Sequence, residues 1–122
     1  MKSLEELYDK RTGEYKTDLA YKEILKLDIM LTEKQIPHTC VKLMDGWQII
    51  YPEDGENRVM DAIEHFGSYG HEKDLLEIMG LLTPEEQEND SVLGYLTAEN
   101  VFDRIERHYR KKCREGLIDV GK

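Results

Sequence analysis

The 122-residue chain is poor in cysteine: it has two, Cys40 and Cys113, and neither sits in a CxxC or CxxH spacing. That excludes a metal knuckle or a dithiol redox motif legible from sequence, and two isolated thiols accord with a reducing compartment. Long apolar runs are missing as well. No window approaches the ~18 apolar residues of a membrane span. The opening Met1-Lys-Ser-Leu-Glu-Glu6 has neither the basic stretch nor the apolar run of about 7–15 residues that marks a secretory leader. The expectation is a cytoplasmic protein with no membrane partner. Repeats, linkers and low-complexity tracts are absent too. We therefore read residues 1–122 as one domain: a short helix and connection over 1–16, a compact body over 17–115 and a tail over 116–122. A chain of this size buries roughly two thirds of its unfolded surface on folding, enough for one core without staples.

Positive charge is scarce, but only in part of the chain. Residues 1–103 hold 23 acidic and 10 basic residues, a net −13, whereas residues 104–122 hold 3 and 7, a net +4. An acidic body is repelled by nucleic-acid phosphates, so direct nucleic-acid binding would rest on the tail alone. Such a body suits a basic protein surface, although acidity also serves solubility.

What is present reads as α+β. Ser3-Leu-Glu-Glu6 has the form of a capping box and predicts a short helix to about Lys10, ended by Thr12-Gly13. Thr17 or Asp18 can cap a second helix whose stripe is Ala20, Ile24, Leu27 and Leu31, widened by Leu25 and Ile29 and closed at Ile36-Pro37. The period then changes to two. Val41 and Leu43, an Asp45-Gly46 turn and Trp47-Gln-Ile-Ile-Tyr51 read as a hairpin. Residues 58–66 fit helix or strand, and we take the strand because hairpin partners usually neighbour one another. Leu75–Met79 reads as a fourth strand. Thr83-Pro84-Glu85-Glu86 starts a turn or two of helix. Thr97 caps a last helix with the stripe Val101, Phe102, Ile105 and Tyr109, with Asp103–Arg107 and Glu106–Arg110 spaced as ion pairs and Gly116 as the stop. The expected fold is an antiparallel sheet of three to four strands packed against flanking N- and C-terminal helices.

Four runs in order, Asp45-Gly-Trp-Gln-Ile-Ile-Tyr-Pro52, His65-Phe-Gly-Ser-Tyr-Gly70, Leu76-Glu-Ile-Met-Gly-Leu-Leu-Thr83 and Gly94-Tyr-Leu-Thr-Ala-Glu-Asn-Val-Phe-Asp-Arg-Ile105, carry a resemblance. Over about residues 25–110 the chain resembles small proteins of phages and integrated mobile elements of gut Firmicutes. The resemblance implies a setting and no chemistry: small acidic proteins of that origin are often inhibitors of host machinery, anti-CRISPR and other anti-defence proteins among them. The place of action would then be the host cytoplasm.

No stretch assembles a catalytic set, so the reading leans away from an enzyme. His65, Ser68, Tyr69 and His71, around Gly67 and Gly70, form the best candidate for a small-ligand loop, a nucleotide being one such ligand; the plainer reading is a turn between strands. A Ser68 nucleophile assisted by His65 or His71 would need an orienting acid and an oxyanion hole that the sequence does not display. His65, His71, Glu72 and Asp74 match no ligand spacing, and residues 53–56 lack the order of a calcium loop; no metal and no cofactor is expected. Trp47 and Tyr51 share one strand face with Ile49 between them, as core or as an interface. Glu53, Asp54, Glu56, Glu85, Glu86 and Glu88 are either solvated charge or an acidic interface. The basic residues from Arg104 to Arg114 suit a helix C-terminus. The leading expectation is an interaction protein that meets a host protein, such as a nucleic-acid-binding enzyme, through acidic surface. A nucleotide-sequestering protein is the alternative, and a homodimer is left open.

Overall fold

The computed structural model describes residues 8–9, 14–15 and 21–116. Two short strands, β1 (Tyr8–Asp9) and β2 (Glu14–Tyr15), pair antiparallel with Tyr8 opposite Tyr15. This corrects the expected first helix at its end: Tyr8 and Asp9, which it was to include on its way to Lys10, are in a strand. The rest of that helix falls outside the described residues, as do Thr17 and Asp18; neither caps the second helix, which begins at Lys22 with Tyr21 at its N-cap in the left-handed conformation (φ 61°).

The main sheet has five antiparallel strands in sequence order: β3 (Thr39–Leu43), β4 (Gly46–Tyr51), β5 (Met60–Glu64), β6 (Leu76–Met79) and β7 (Val92–Leu96). The architecture is α+β with an antiparallel sheet, as expected, and carries one strand more than expected. β7 escaped the sequence reading because it is irregular. Leu76 pairs with Leu96 and Ile78 with Leu93, so Gly94 and Tyr95 together oppose Glu77 in a bulge. Within residues 58–66, ambiguous by pattern and expected as a strand, Met60–Glu64 forms β5.

Among the described residues there are three helices: α1 (Lys22–Glu33), α2 (Pro84–Asn89) and α3 (Ala98–Arg114). α1 ends because Gln35 takes the left-handed conformation (φ 57°), which lets Ile36 N–H reach back to the Leu31 carbonyl at 3.0 Å. This is a Schellman closure, and the buried Ile36 side chain joins the core beside Leu31. α2 starts at the expected Thr83-Pro84 and is closed by a capping box, with Thr83 Oγ accepting from Glu86 N–H and Glu86 accepting from Thr83 N–H. α3 is capped by Thr97 and carries both expected ion pairs, Asp103–Arg107 at 3.0 Å and Glu106–Arg110 at 3.2 Å.

α1 packs against α3, β4 and β5. One core results, built from Ile24, Leu25, Leu27 and Leu31 of α1, Trp47, Ile49 and Tyr51 of β4, Met60 and Ala62 of β5, Leu76 and Ile78 of β6, and Val101 and Ile105 of α3. Each aliphatic side chain buried there contributes roughly 1.5–3 kcal/mol. Alternation puts Glu64 on this same face of β5, directly opposite Trp47. Among the described residues no helix is long and apolar enough to cross a membrane.

Candidate functional site

The segment from His65 to Leu75 links β5 to β6, and its conformation is fixed by its own polar groups. Ser68 Oγ accepts from His65 N–H at 3.1 Å and donates to the His65 carbonyl at 3.0 Å. His65 Nδ1 accepts from Gly67 N–H at 2.9 Å, so its proton sits on Nε2. His71 Nδ1 donates to the Ser68 carbonyl at 2.7 Å. His65 and Ser68 are buried. Thus His65, Ser68 and His71 are brought together, but their polar atoms stitch the loop and Ser68 Oγ points at backbone.

Tyr69 stands apart from them. Its ring is 56 % exposed, in company with Phe66 at 60 % and Tyr95 at 53 %. Aromatic rings left this open at one end of a sheet are the kind of feature that marks contact surfaces. Two carboxylates hold the backbone beneath them, and a third holds the Tyr95 hydroxyl. Asp45, in the β3–β4 turn, accepts from Phe66 N–H at 3.0 Å and from the Tyr21 hydroxyl. Glu77 accepts from Tyr69 N–H at 2.9 Å, and Glu72 accepts from the Tyr95 hydroxyl at 2.6 Å. The Tyr21 hydroxyl, then Phe66 N–H, holds the Asp45 carboxyl below its usual range. The same hydrogen bond, with burial and the Asp45 charge adding to it, pushes the Tyr21 hydroxyl up to about 12. The Tyr95 hydroxyl lowers Glu72 in the same way. Among the described residues none of these three carboxylates forms an ion pair with a lysine or arginine, although Glu72 lies 3.8 Å from His71 Nδ1.

Gly94 makes the approach of this loop to β7 possible. A Cβ there would come within 2.4 Å of Tyr69 Cβ, so the strand must carry glycine where the loop crosses it.

Below the loop lies an acidic pair. Glu64 is fully buried, and its Oε1 accepts from Ile24 N–H at the start of α1 at 3.1 Å. Asp74 accepts from Glu23 N–H at 3.3 Å. The two carboxylates thus cap the helix from β5 and from the end of the loop. Among the described residues no donor reaches Glu64 Oε2. Burial, and then the neighbouring Asp74 carboxylate, push Glu64 up to about 9. It is a neutral acid at pH 7, able to share its proton with Asp74. Among the described residues no cluster of His, Cys, Asp or Glu could hold a metal ion.

The remaining sequence candidates are dispersed. Trp47 and Tyr51 lie in the core, Trp47 under the Lys42 ammonium at 4.7 Å and Tyr51 in a 2.8 Å hydrogen bond with His108. Glu53, Asp54 and Glu56 are exposed on the β4–β5 loop, where Glu53 accepts from Asn57 at 2.9 Å. Glu85 and Glu88 are exposed on α2. Glu86 is engaged, receiving two bonds from Arg104 at 2.8 and 2.9 Å. That guanidinium, together with Thr83 N–H, holds it down to about 2. A cleft of about 450 Å³ beside this pair is lined by Leu82, Arg104, Arg107 and His108. Its guanidinium groups are already tied to Glu86 and Asp103. Phe66, Tyr95, Asp45, Glu72 and Glu77 were missed by sequence reasoning; apart from the glycine preceding Tyr95, which marks a close backbone approach, nothing in their spacing joins them.

No family model, no curated protein and no solved structure matches this chain, so the reading of the site rests on its own residues.

Proposed function

We propose that the protein is an interaction domain that takes a basic protein partner on the end of its sheet formed by Phe66, Tyr69 and Tyr95 with Asp45, Glu72 and Glu77. The observation that carries this reading is the coincidence of three half-exposed aromatic rings with three carboxylates held by neutral donors. Aromatic faces and carboxylates both attract lysine and arginine side chains. The net charge of −9 draws a basic partner from a distance. The resemblance to phage and mobile-element proteins supplies a setting, in which the partner is a host protein and a nucleic-acid-binding enzyme is the class whose surface fits, as for an anti-defence inhibitor. A small-ligand role for the same loop draws less support, because His65, Ser68 and His71 are bonded within it.

Binding of a fluorescent Lys/Arg-rich peptide, followed by anisotropy, tests the surface. Wild type binds at low salt and releases the peptide as ionic strength rises past physiological. Tyr69→Ala and Glu72→Gln each weaken binding about tenfold, equivalent to about 1.4 kcal/mol. Glu88→Gln, the same charge change on α2, leaves it within about twofold. Equal losses from Glu72→Gln and Glu88→Gln would show a diffuse charge effect and refute the assigned surface.

A further inference from the structure

The two edges of the main sheet differ. β7 is guarded by its bulge, with Tyr95 at φ 62°, a shape that does not accept a further regular strand. β3 is the opposite case: five residues, Thr-Cys-Val-Lys-Leu, in unbroken register with β4 and with no proline. Among the described strands nothing pairs with its outer side. Its single charge does not guard it either, because the Lys42 ammonium is drawn inward over Trp47. Val41 lies on the other face from Cys40 and Lys42 and is 37 % exposed.

The register identifies what fits this edge. Leu43 and Gly46 flank a two-residue turn, so they form a pair that exchanges both hydrogen bonds. Val41–Gln48 and Thr39–Ile50 then do the same, which leaves the N–H and C=O groups of Cys40 and Lys42 pointing outward. An antiparallel copy of the same strand with Val41 opposite Val41 sets Cys40 against Lys42 and Lys42 against Cys40. All outward groups are then matched by four hydrogen bonds, all five residues of each strand overlap, and no like charges face each other. A shift that centres the axis on Lys42 would oppose two ammonium groups, and one that centres it on Cys40 would leave Lys42 and Leu43 outside the strand overlap. We infer that β3 is a self-association edge, on which a second copy of this chain adds by two-fold antiparallel pairing centred on Val41, joining two five-stranded sheets into one of ten. The partner here is the chain itself, a surface separate from the aromatic one proposed above.

Single-cysteine crosslinking tests the register. In a Cys40→Ala, Cys113→Ser background, Val41→Cys places two thiols in a non-hydrogen-bonded cross-strand pair, with Cβ atoms about 4.5–5.5 Å apart, near enough to oxidise to a disulfide dimer. Thr39→Cys and Leu43→Cys place their symmetry mates about 13 Å apart along the strands and do not crosslink. Sedimentation of the unaltered chain shows a monomer–dimer equilibrium that Lys42→Pro abolishes, since a proline there removes only an outward N–H and is tolerated on an edge. Crosslinking concentrated at Val41 supports the proposal even if Lys42→Pro fails to fold. Equal crosslinking at all three positions, or a monomer at every concentration up to the solubility limit, would overturn it.

Discussion

Replacing Glu64 by glutamine removes a titration from the middle of the protein, and the consequence can be worked out in sign and size. The carboxyl moves from an ordinary 4.5 in the unfolded chain to about 9 when folded. Between those limits the folded state holds a proton that the unfolded state has released, so stability falls as pH rises, with a slope approaching 1.4 kcal/mol per pH unit for this group. Relative to pH 4.5, the group costs about 3 kcal/mol at pH 7, and the loss levels off above about pH 9. Glutamine keeps the acceptor for Ile24 N–H and offers Asp74 a permanent donor in place of a proton. Urea unfolding followed through Trp47, the sole tryptophan and part of the core, reads the difference. Glu64→Gln should match wild type within about 1 kcal/mol at pH 5 and exceed it by about 3 kcal/mol at pH 7, a rise in Tm on the order of 10 °C, and by about 4–5 kcal/mol at pH 8–9. Parallel stability profiles for the two proteins, or a variant weaker than wild type at pH 9, would refute the assignment of a neutral buried acid.

Two further substitutions probe the frame around the site. Gly46→Ala would put a Cβ 1.8 Å from the Glu64 carbonyl oxygen; since backbone cannot yield there, the loss should exceed about 4 kcal/mol, seen as an early urea midpoint or as insoluble protein. His38 donates from Nδ1 to the Ile36 carbonyl at 2.8 Å and from Nε2 to Asp28 at 2.7 Å. Burial opposes its charge, but Asp28 and the Ile36 carbonyl raise its pKa on balance. Its stabilisation is therefore complete below about pH 6.5 and is lost as pH rises through the raised value. His38→Gln should lose about 1 kcal/mol at pH 6 and much less at pH 9 by chemical denaturation; equal losses at both would show that the charge contributes nothing.

How much of this was legible beforehand depends on whether the signal was local. α2 and α3 were readable because Thr83-Pro84 with Glu86, and Thr97, are caps that act within one turn of themselves. The β3–β4 hairpin was readable from alternation around a tight turn. At the N-terminus the expected extent of the first helix misled, since Tyr8–Asp9, which it was to include, pairs with Glu14–Tyr15 instead. β7 was hidden by the glycine that its neighbour Tyr69 requires. Glu64 could not be recognised as interior: a glutamate in an alternating strand reads as solvent-facing, and the features that admit it, the free N–H groups of α1 and the Asp74 carboxylate, come from 40 residues before it and 10 residues after. The aromatic and carboxylate surface gathers the β3–β4 turn, the β5–β6 loop, β6 and β7, which no local pattern joins.

The bonding of that loop also bears on rates. The N–H groups of His65, Phe66, Gly67, Ser68, Tyr69, His71, Lys73, Asp74 and Leu75 all have partners within the molecule, so Phe66 and Tyr69 ride on backbone already in place. A partner arriving there has no disordered segment to fold. Encounter should proceed in a single step, with an association rate set by charge and slowed by salt, and with no lag or saturating phase from loop rearrangement. Differences in affinity among variants of the exposed rings should accordingly be felt as differences in how long the complex lasts.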